Sequence, residues 1–137
     1  MSRNVYDKGR EKFLDGKISW TTDTIKAVLV SDAYTLDLEE DEFLADIPAP
    51  ARIAITAALT SKTITAGVAG AADTVWPDVT NANQGVGVVT FKDTGDPATS
   101  PLIHHTSDSS AGLPVIPNGG DINCKWDTDP DVLIFKL

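Results

Sequence analysis

Two hydrophobic periods share this chain. Near its start Tyr6, Phe13 and Leu14 fall close to one face of a helical wheel, with Gly9 on the same face. Asn4 is placed to cap such a helix, Asp7 to answer it three positions on, and Gly16 to stop it. The spacing predicts a short amphipathic helix over residues 5–15. Alone it is marginal, so its stripe must dock on the body or on a neighbouring subunit. "TIKAVLVS" then reads as a buried strand rich in β-branched residues. "LDLEEDEFLADIP" predicts a second short helix at 39–46. Asp37 would cap it, and Phe43, Leu44 and Ile47 would form its apolar face. Acids in its first turn complement the helix dipole, and Pro48 and Pro50 end it.

From Arg52 onward the period shortens to two. Ile53, Ile55, Ala57 and Leu59 alternate against Arg52, Ala54, Thr56 and Ala58. "SKTITAGV" alternates again through Ile64, Ala66 and Val68. "DTVWPDV" is extended, but Pro77 keeps it from the centre of a sheet. "GVGVVTFKD", "PLIHHT", "DINCKW" and "DVLIFKL" are further strands, separated by the turn signals "DTGD", "SDSSAG", "PNGGD" and "DTDPD". In "DINCKW", Ile122, Cys124 and Trp126 share one face, and Asp121, Asn123 and Lys125 the other. The reading is a mainly-β chain: a single β-sandwich or barrel-like domain of about seven strands, with one or two short helices near the N-terminus. Residues 1–20 are a candidate helical docking arm and 25–137 the β-rich body. An open α+β layer is the alternative.

Composition narrows this. A chain of 137 residues favours one domain and buries roughly two thirds of its unfolded surface. It holds no apolar run near the ~20 residues a membrane span needs. "MSRNVYDKGREKF" has no apolar signal core, so synthesis in a cytosol-type compartment is expected. A net charge of −9 repels polyanions and anionic bilayers, so neither nucleic acid nor membrane is an expected partner. With Cys124 as the sole cysteine, no disulfide closes within one chain, and its apolar face marks it as a small hydrophobe.

Four stretches invite a chemical reading. In "PLIHHTSDSS" both histidines sit near Ser107 and Asp108. On a strand, His104 and His105 point to opposite faces and cannot serve one site. One is expected exposed and the other half-buried and hydrogen-bonded. "DTDPDV" resembles the opening of a calcium loop through Asp127, Asp129 and Asp131, but Val132 replaces the required glycine. The row Glu39, Glu40, Asp41 and Glu42 lies along one turn rather than across a cleft, and reads as solvated. "PNGGD" lacks the lysine and following helix of a phosphate loop. No catalytic, cofactor or metal residue is therefore assigned. Trp20, Trp76 and Trp126 are candidates for core or interface packing, Trp20 and Trp76 also for sugar platforms.

The opening "NVYDKGREKFLDGKISWTTDTIKAVLV" resembles the start of a family of small virion structural proteins of tailed bacteriophages. "DTVWPDVT", "GVGVVTFKDTGDPATSPLI", "GLPVIPNGGDINCKWD" and "IFKL" are similar to its later motifs. The resemblance implies a head decoration (cement) protein on the capsid surface, reached after synthesis in the host cytoplasm. Its expected partner is the major capsid protein, and its expected state a homo-oligomer, a trimer as first guess. It implies no cofactor and no catalytic set. A phage tail component (tube, terminator or fibre-associated) or a carbohydrate- or calcium-binding adhesion module are the alternatives. Tyr6, Phe13, Leu14, Trp20 and Trp76 are the interface candidates.

Overall fold

The computed structural model describes residues 3–80, 83–107, 113–127, 129 and 133–137. Ten strands and one α-helix are formed among them: β1 (Arg3–Val5), α1 (Asp7–Leu14), β2 (Ile25–Val30), β3 (Arg52–Ile55), β4 (Thr63–Thr65), β5 (Val68–Gly70), β6 (Thr74–Trp76), β7 (Gly87–Lys92), β8 (Leu102–Thr106), β9 (Ile122–Cys124) and β10 (Phe135–Lys136). The chain is mainly β and sandwich-like. A five-stranded antiparallel sheet in the order β1-β8-β7-β2-β3 is its centre. Two smaller sheets, β10-β5-β4 and β6-β9, complete it. The strand count exceeds seven because Arg3–Val5 pairs with β8 and because the alternating stretch at 52–70 is cut into three short pieces.

One cut explains itself. β4 and β5 pair Thr65 with Val68 across the two residues Ala66 and Gly67. Both have positive φ, +53° and +81°, the twist a two-residue hairpin requires. The period-two pattern runs straight through "TAGV", but the chain reverses there.

The central sheet is buried on both faces. Ile25, Ala27 and Leu29 of β2 with Val88 of β7 join a cluster closed by Ala69, Trp76, Ile122, Cys124 and Phe135 of the smaller sheets. Val28 and Val30 of β2 with Val89 and Phe91 of β7 face the other way, under Tyr34, Leu44, Ile47 and Ala51. The segment between β2 and β3 thus serves as a second cover, with little regular structure. Its expected helix at 39–46 is absent; a 3-10 turn at Leu44–Asp46 is formed instead. Asp37 makes the expected capping bonds, and Asp46 accounts for the difference. Asp37 Oδ1 accepts from the N–H groups of Glu39 and Glu40, both at 3.1 Å. Asp46 Oδ2 accepts from those of Glu42 (2.8 Å) and Phe43 (2.9 Å). The short Asp46 side chain thus captures backbone donors that a helix over 39–46 would use.

Helix α1 is shorter than the expected 5–15, and Asn4 does not cap it: Asn4 lies in β1 opposite His105, and Tyr6 is the N-cap residue. Its other end is as read. Gly16 takes φ +74°, its N–H bonds Phe13 O at 3.2 Å, and the Lys17 N–H bonds Lys12 O at 2.8 Å, a Schellman closure. Residues 3–14 do not stand off as an arm. The Tyr6 N–H donates to Ile103 O (3.0 Å) and the Asp7 N–H to Leu38 O (2.8 Å). Lys12 pairs with Glu42 at 2.6 Å and lies 5.1 Å from the Phe43 ring centre. Gly9 permits this seat, because a Cβ there would lie 2.7 Å from the carbonyl oxygen of Leu102.

Alanine favours a helix over glycine by about 1 kcal/mol, yet Gly9→Ala should lower stability. The methyl group meets backbone that cannot give way, and overpacking of this kind costs about 1–3 kcal/mol. Urea denaturation would read the loss as a lower midpoint at unchanged slope.

Candidate functional site

Strand β8 carries the densest chemistry, and every one of its five residues is buried. A register shift between Thr90 and Phe91 leaves Ile103 unpaired between Leu102, opposite Phe91, and His104, opposite Thr90. Such a bulge turns two successive side chains the same way, so Ile103 and His104 both face the smaller sheets. His105 faces the 31–51 cover.

The two histidines do occupy opposite faces, but neither is exposed: His104 is 0% and His105 9% accessible. The His104 ring stacks on Phe135 with centroids 5.5 Å apart, and its Nδ1 is 2.6 Å from Thr90 Oγ1. His105 lies 6.5 Å from the Tyr34 ring and over Gly87, where a Cβ would come within 2.7 Å of its Nε2. Its Nδ1 is buried with no hydrogen-bond partner. Burial alone lowers its pKa to about 4. These rings are interior groups, and neither is accessible as a base. Asp108, Ser109 and Ser110 lie outside the described residues.

Below His105 a hydroxyl relay fastens the cover. The Tyr6 and Tyr34 hydroxyls are 2.7 Å apart, and Tyr34 donates to Asp41 Oδ2 at 2.6 Å. Burial pushes both phenols well above the ordinary range. Burial also raises the Asp41 carboxyl. The acidic row is thus not simply solvated: Asp41 belongs to this relay and Glu42 to the Lys12 pair.

The tryptophans are internal. Trp20 Nε1 donates to Gly70 O (3.0 Å), Trp76 Nε1 to Ala27 O (3.1 Å) and Trp126 Nε1 to Ala72 O (3.1 Å). As interface candidates, Tyr6 (0% exposed), Trp20 (2%) and Trp76 (1%) are corrected to core residues, because each places its polar atom on an interior partner. Phe13 is half-buried and Leu14 is 87% exposed. Cys124 is buried, and burial raises its thiol pKa to about 12. "PNGGD" is the tight turn expected, with Gly119 at φ +89° and the Gly120 N–H on Asn118 Oδ1 at 3.0 Å. In "DTDPDV" only Asp127 and Asp129 are described, so the calcium reading lies largely outside the described residues. Among those described, no cluster of three metal-ligating side chains occurs, and no helix is long and apolar enough to cross a membrane.

What the surface does offer is an apolar groove of about 380 Å³ between the end of α1, strand β4 and the chain's last residues. Phe13, Ile18, Trp20, Ile64, Phe135 and Leu137 line it. Its floor is aromatic: Trp20 meets Phe135 edge-on with centroids 5.2 Å apart, and Phe13 lies 6.1 Å from the same ring. Ile64 (59% exposed) and Leu137 (54%) stand on its rim, and Leu14 follows Phe13. β4 is the outer strand of its sheet, with all three residues exposed. Of the expected interface residues, the groove gathers Phe13 and the edge of Trp20. Ile64 and Leu137 were missed, because alternation in "SKTITAGV" assigns Ile64 to a buried face. No family model matches the chain, and a search of curated proteins returns no match.

His105 makes a pH prediction with a definite sign. Its folded pKa, about 4, lies below the ordinary 6.5, so the unfolded chain binds its proton more readily. Its neutral form contributes stability in full above pH 6.5, and that contribution is lost as pH falls toward 4. The loss should reach roughly 3 kcal/mol in wild type. In His105→Leu the stability difference between pH 7 and pH 4.5, read by denaturant titration, should shrink by most of that amount.

Proposed function

We propose that this chain is a structural protein of a tailed-phage virion: a decoration protein that binds the major capsid protein at the head surface and acts as a homo-oligomer. The observation that carries the reading beyond the sequence resemblance is the apolar groove beside α1. A cement protein needs a stiff scaffold and an adhesive face rather than reactive groups. Here the histidines, the tryptophan indoles and the tyrosine relay are engaged inside the fold. The groove, by contrast, exposes Ile64 and Leu137 on an aromatic floor next to a free strand edge. An edge strand offers backbone groups to an extended segment, and the groove takes its apolar side chains. Attachment at many equivalent positions on a shell sums weak contacts into tight retention.

The adhesion-module reading loses its platforms, since the faces of Trp20 and Trp76 are covered. Location on the particle separates head from tail. Purified protein added to expanded capsids should bind saturably at fixed stoichiometry. Ile64→Asp, at a position too exposed to unsettle the core, should weaken that uptake about tenfold or more. Protein found only in tail fractions, with no uptake by heads, would overturn the proposal.

A further inference from the structure

On the other side of the central sheet a second concavity, a cleft of about 200 Å³, opens beside the edge strand β3. Its floor is apolar, made by Leu44, Ile55 and Phe91. Its polar lining is Lys26, Asp93, Asp96 and Arg52. Three of these four are already engaged. Lys26 holds Asp93 at 2.6 Å, and Asp93 also accepts from the Gly95 N–H at 2.9 Å. Asp96 Oδ1 accepts from the Ala98 N–H at 2.9 Å.

Arg52 is the exception. Its Nε is buried and has no hydrogen-bond partner. Every other half-buried cation among the described residues has an ion-pair or hydrogen-bond partner: Lys8 with Glu11, Lys12 with Glu42, Lys26 with Asp93, Lys92 with Asp23, and Lys62 with the carbonyl of Asp23. The chain has 20 acidic and 11 basic residues, so carboxylates are in excess. Arg52 is half-buried, lines the apolar cleft, and has no carboxylate among the described residues against its guanidinium.

We propose that the Arg52 cleft is a carboxylate-recognition site. It takes the acidic side chain of a partner protein, with an adjoining apolar residue of that partner lying on Ile55, Leu44 and Phe91. The partner's chemistry follows from charge complementarity: the unmatched group is a cation, the Asp93 and Asp96 carboxylates near it are already held, and the floor is apolar. Insertion of a side chain fits better than addition of a strand. β3 is only four residues long and has a register shift opposite Leu29 and Val30, which blunts its edge. The site is independent of the groove beside α1 and of what that groove binds.

The test uses the whole chain, isotope-labelled, and two blocked dipeptides, acetyl-Leu-Glu-amide and acetyl-Leu-Gln-amide. On titration, the Glu peptide should move the Arg52 Nε–H resonance and the backbone amides of Ile55 and Ser100. The Gln peptide should bind about tenfold more weakly or less, the worth of one charge-assisted contact. Arg52→Gln should erase the preference while leaving the spectrum's dispersion intact. Equal shifts from the two peptides would overturn the proposal. So would silence up to roughly tens of millimolar, the weak limit for one anchored side chain. A preference that survives Arg52→Gln would do the same. The contrast between peptides on the unaltered chain decides the matter even if that variant fails to fold.

Discussion

The central sheet must be covered on both faces, and most of the structure follows from that. Strands β7 and β8 hold 11 residues, of which only Lys92 is not buried. An antiparallel sheet that faces water on one side alternates apolar and polar residues; one buried on both sides does not. The smaller sheets cover one face. The irregular 31–51 segment, with Tyr6, covers the other. The second cover contributes few backbone ladders, so it is fastened by side chains: the Tyr6–Tyr34–Asp41 relay, the Lys12–Glu42 pair, and the aspartates that close its turns.

Two-sided burial also dictates the fate of the polar groups inside. A hydroxyl or indole N–H taken from water without a partner costs about 1–3 kcal/mol, and nearly all of those inside this fold are matched. Each tryptophan hands its N–H to a backbone carbonyl, and all three bonds cross between chain segments some fifty positions apart. Thr56 Oγ1 accepts from the Ala27 N–H at 3.1 Å, on the β2 side that meets β3. His105 is a costly member, its Nδ1 buried without a partner. Gly87 makes the space for that ring, since any side chain at 87 would strike it. The pair is one packing decision written at two distant positions.

The elements legible in the sequence are those whose pattern is local. Ile25–Val30, Gly87–Lys92, Leu102–Thr106 and the alternating face of Ile122, Cys124 and Trp126 stand where hydrophobicity put them. The opposite orientation of the two histidines was legible too, because strand geometry alone decides it. What the sequence hid is set by tertiary context. Both histidines are buried because a second cover exists, and no window around "PLIHHT" reveals that cover. Its segment contains the acid row that reads as a helix; Asp37 makes the expected capping bonds, but Asp46 takes backbone donors from the middle of the row. For Trp20 and Trp76, core packing, interface packing and a sugar platform stay open while their carbonyl partners are unknown. The groove is the least legible feature, since it joins the end of α1, a hairpin near residue 64 and the last strand, which are contiguous only once folded.

The two concavities differ in kind because they lie over different covers. The groove borders the cluster sealed by sheet and aromatic ring, and Trp20, Ala69 and Phe135 serve both that core and the groove floor. Its lining is therefore apolar and shared with the core beneath. The cleft borders the cluster sealed by loops, with Leu44 and Phe91 shared between core and floor. At its margin stand Lys26 of β2, Asp93 and Asp96 from the turn between β7 and β8, and Arg52 of β3. A slab built this way presents two chemically distinct contacts on opposite sides. Sheet packing holds the geometry of both, and neither draws on the buried polar groups that hold the fold together.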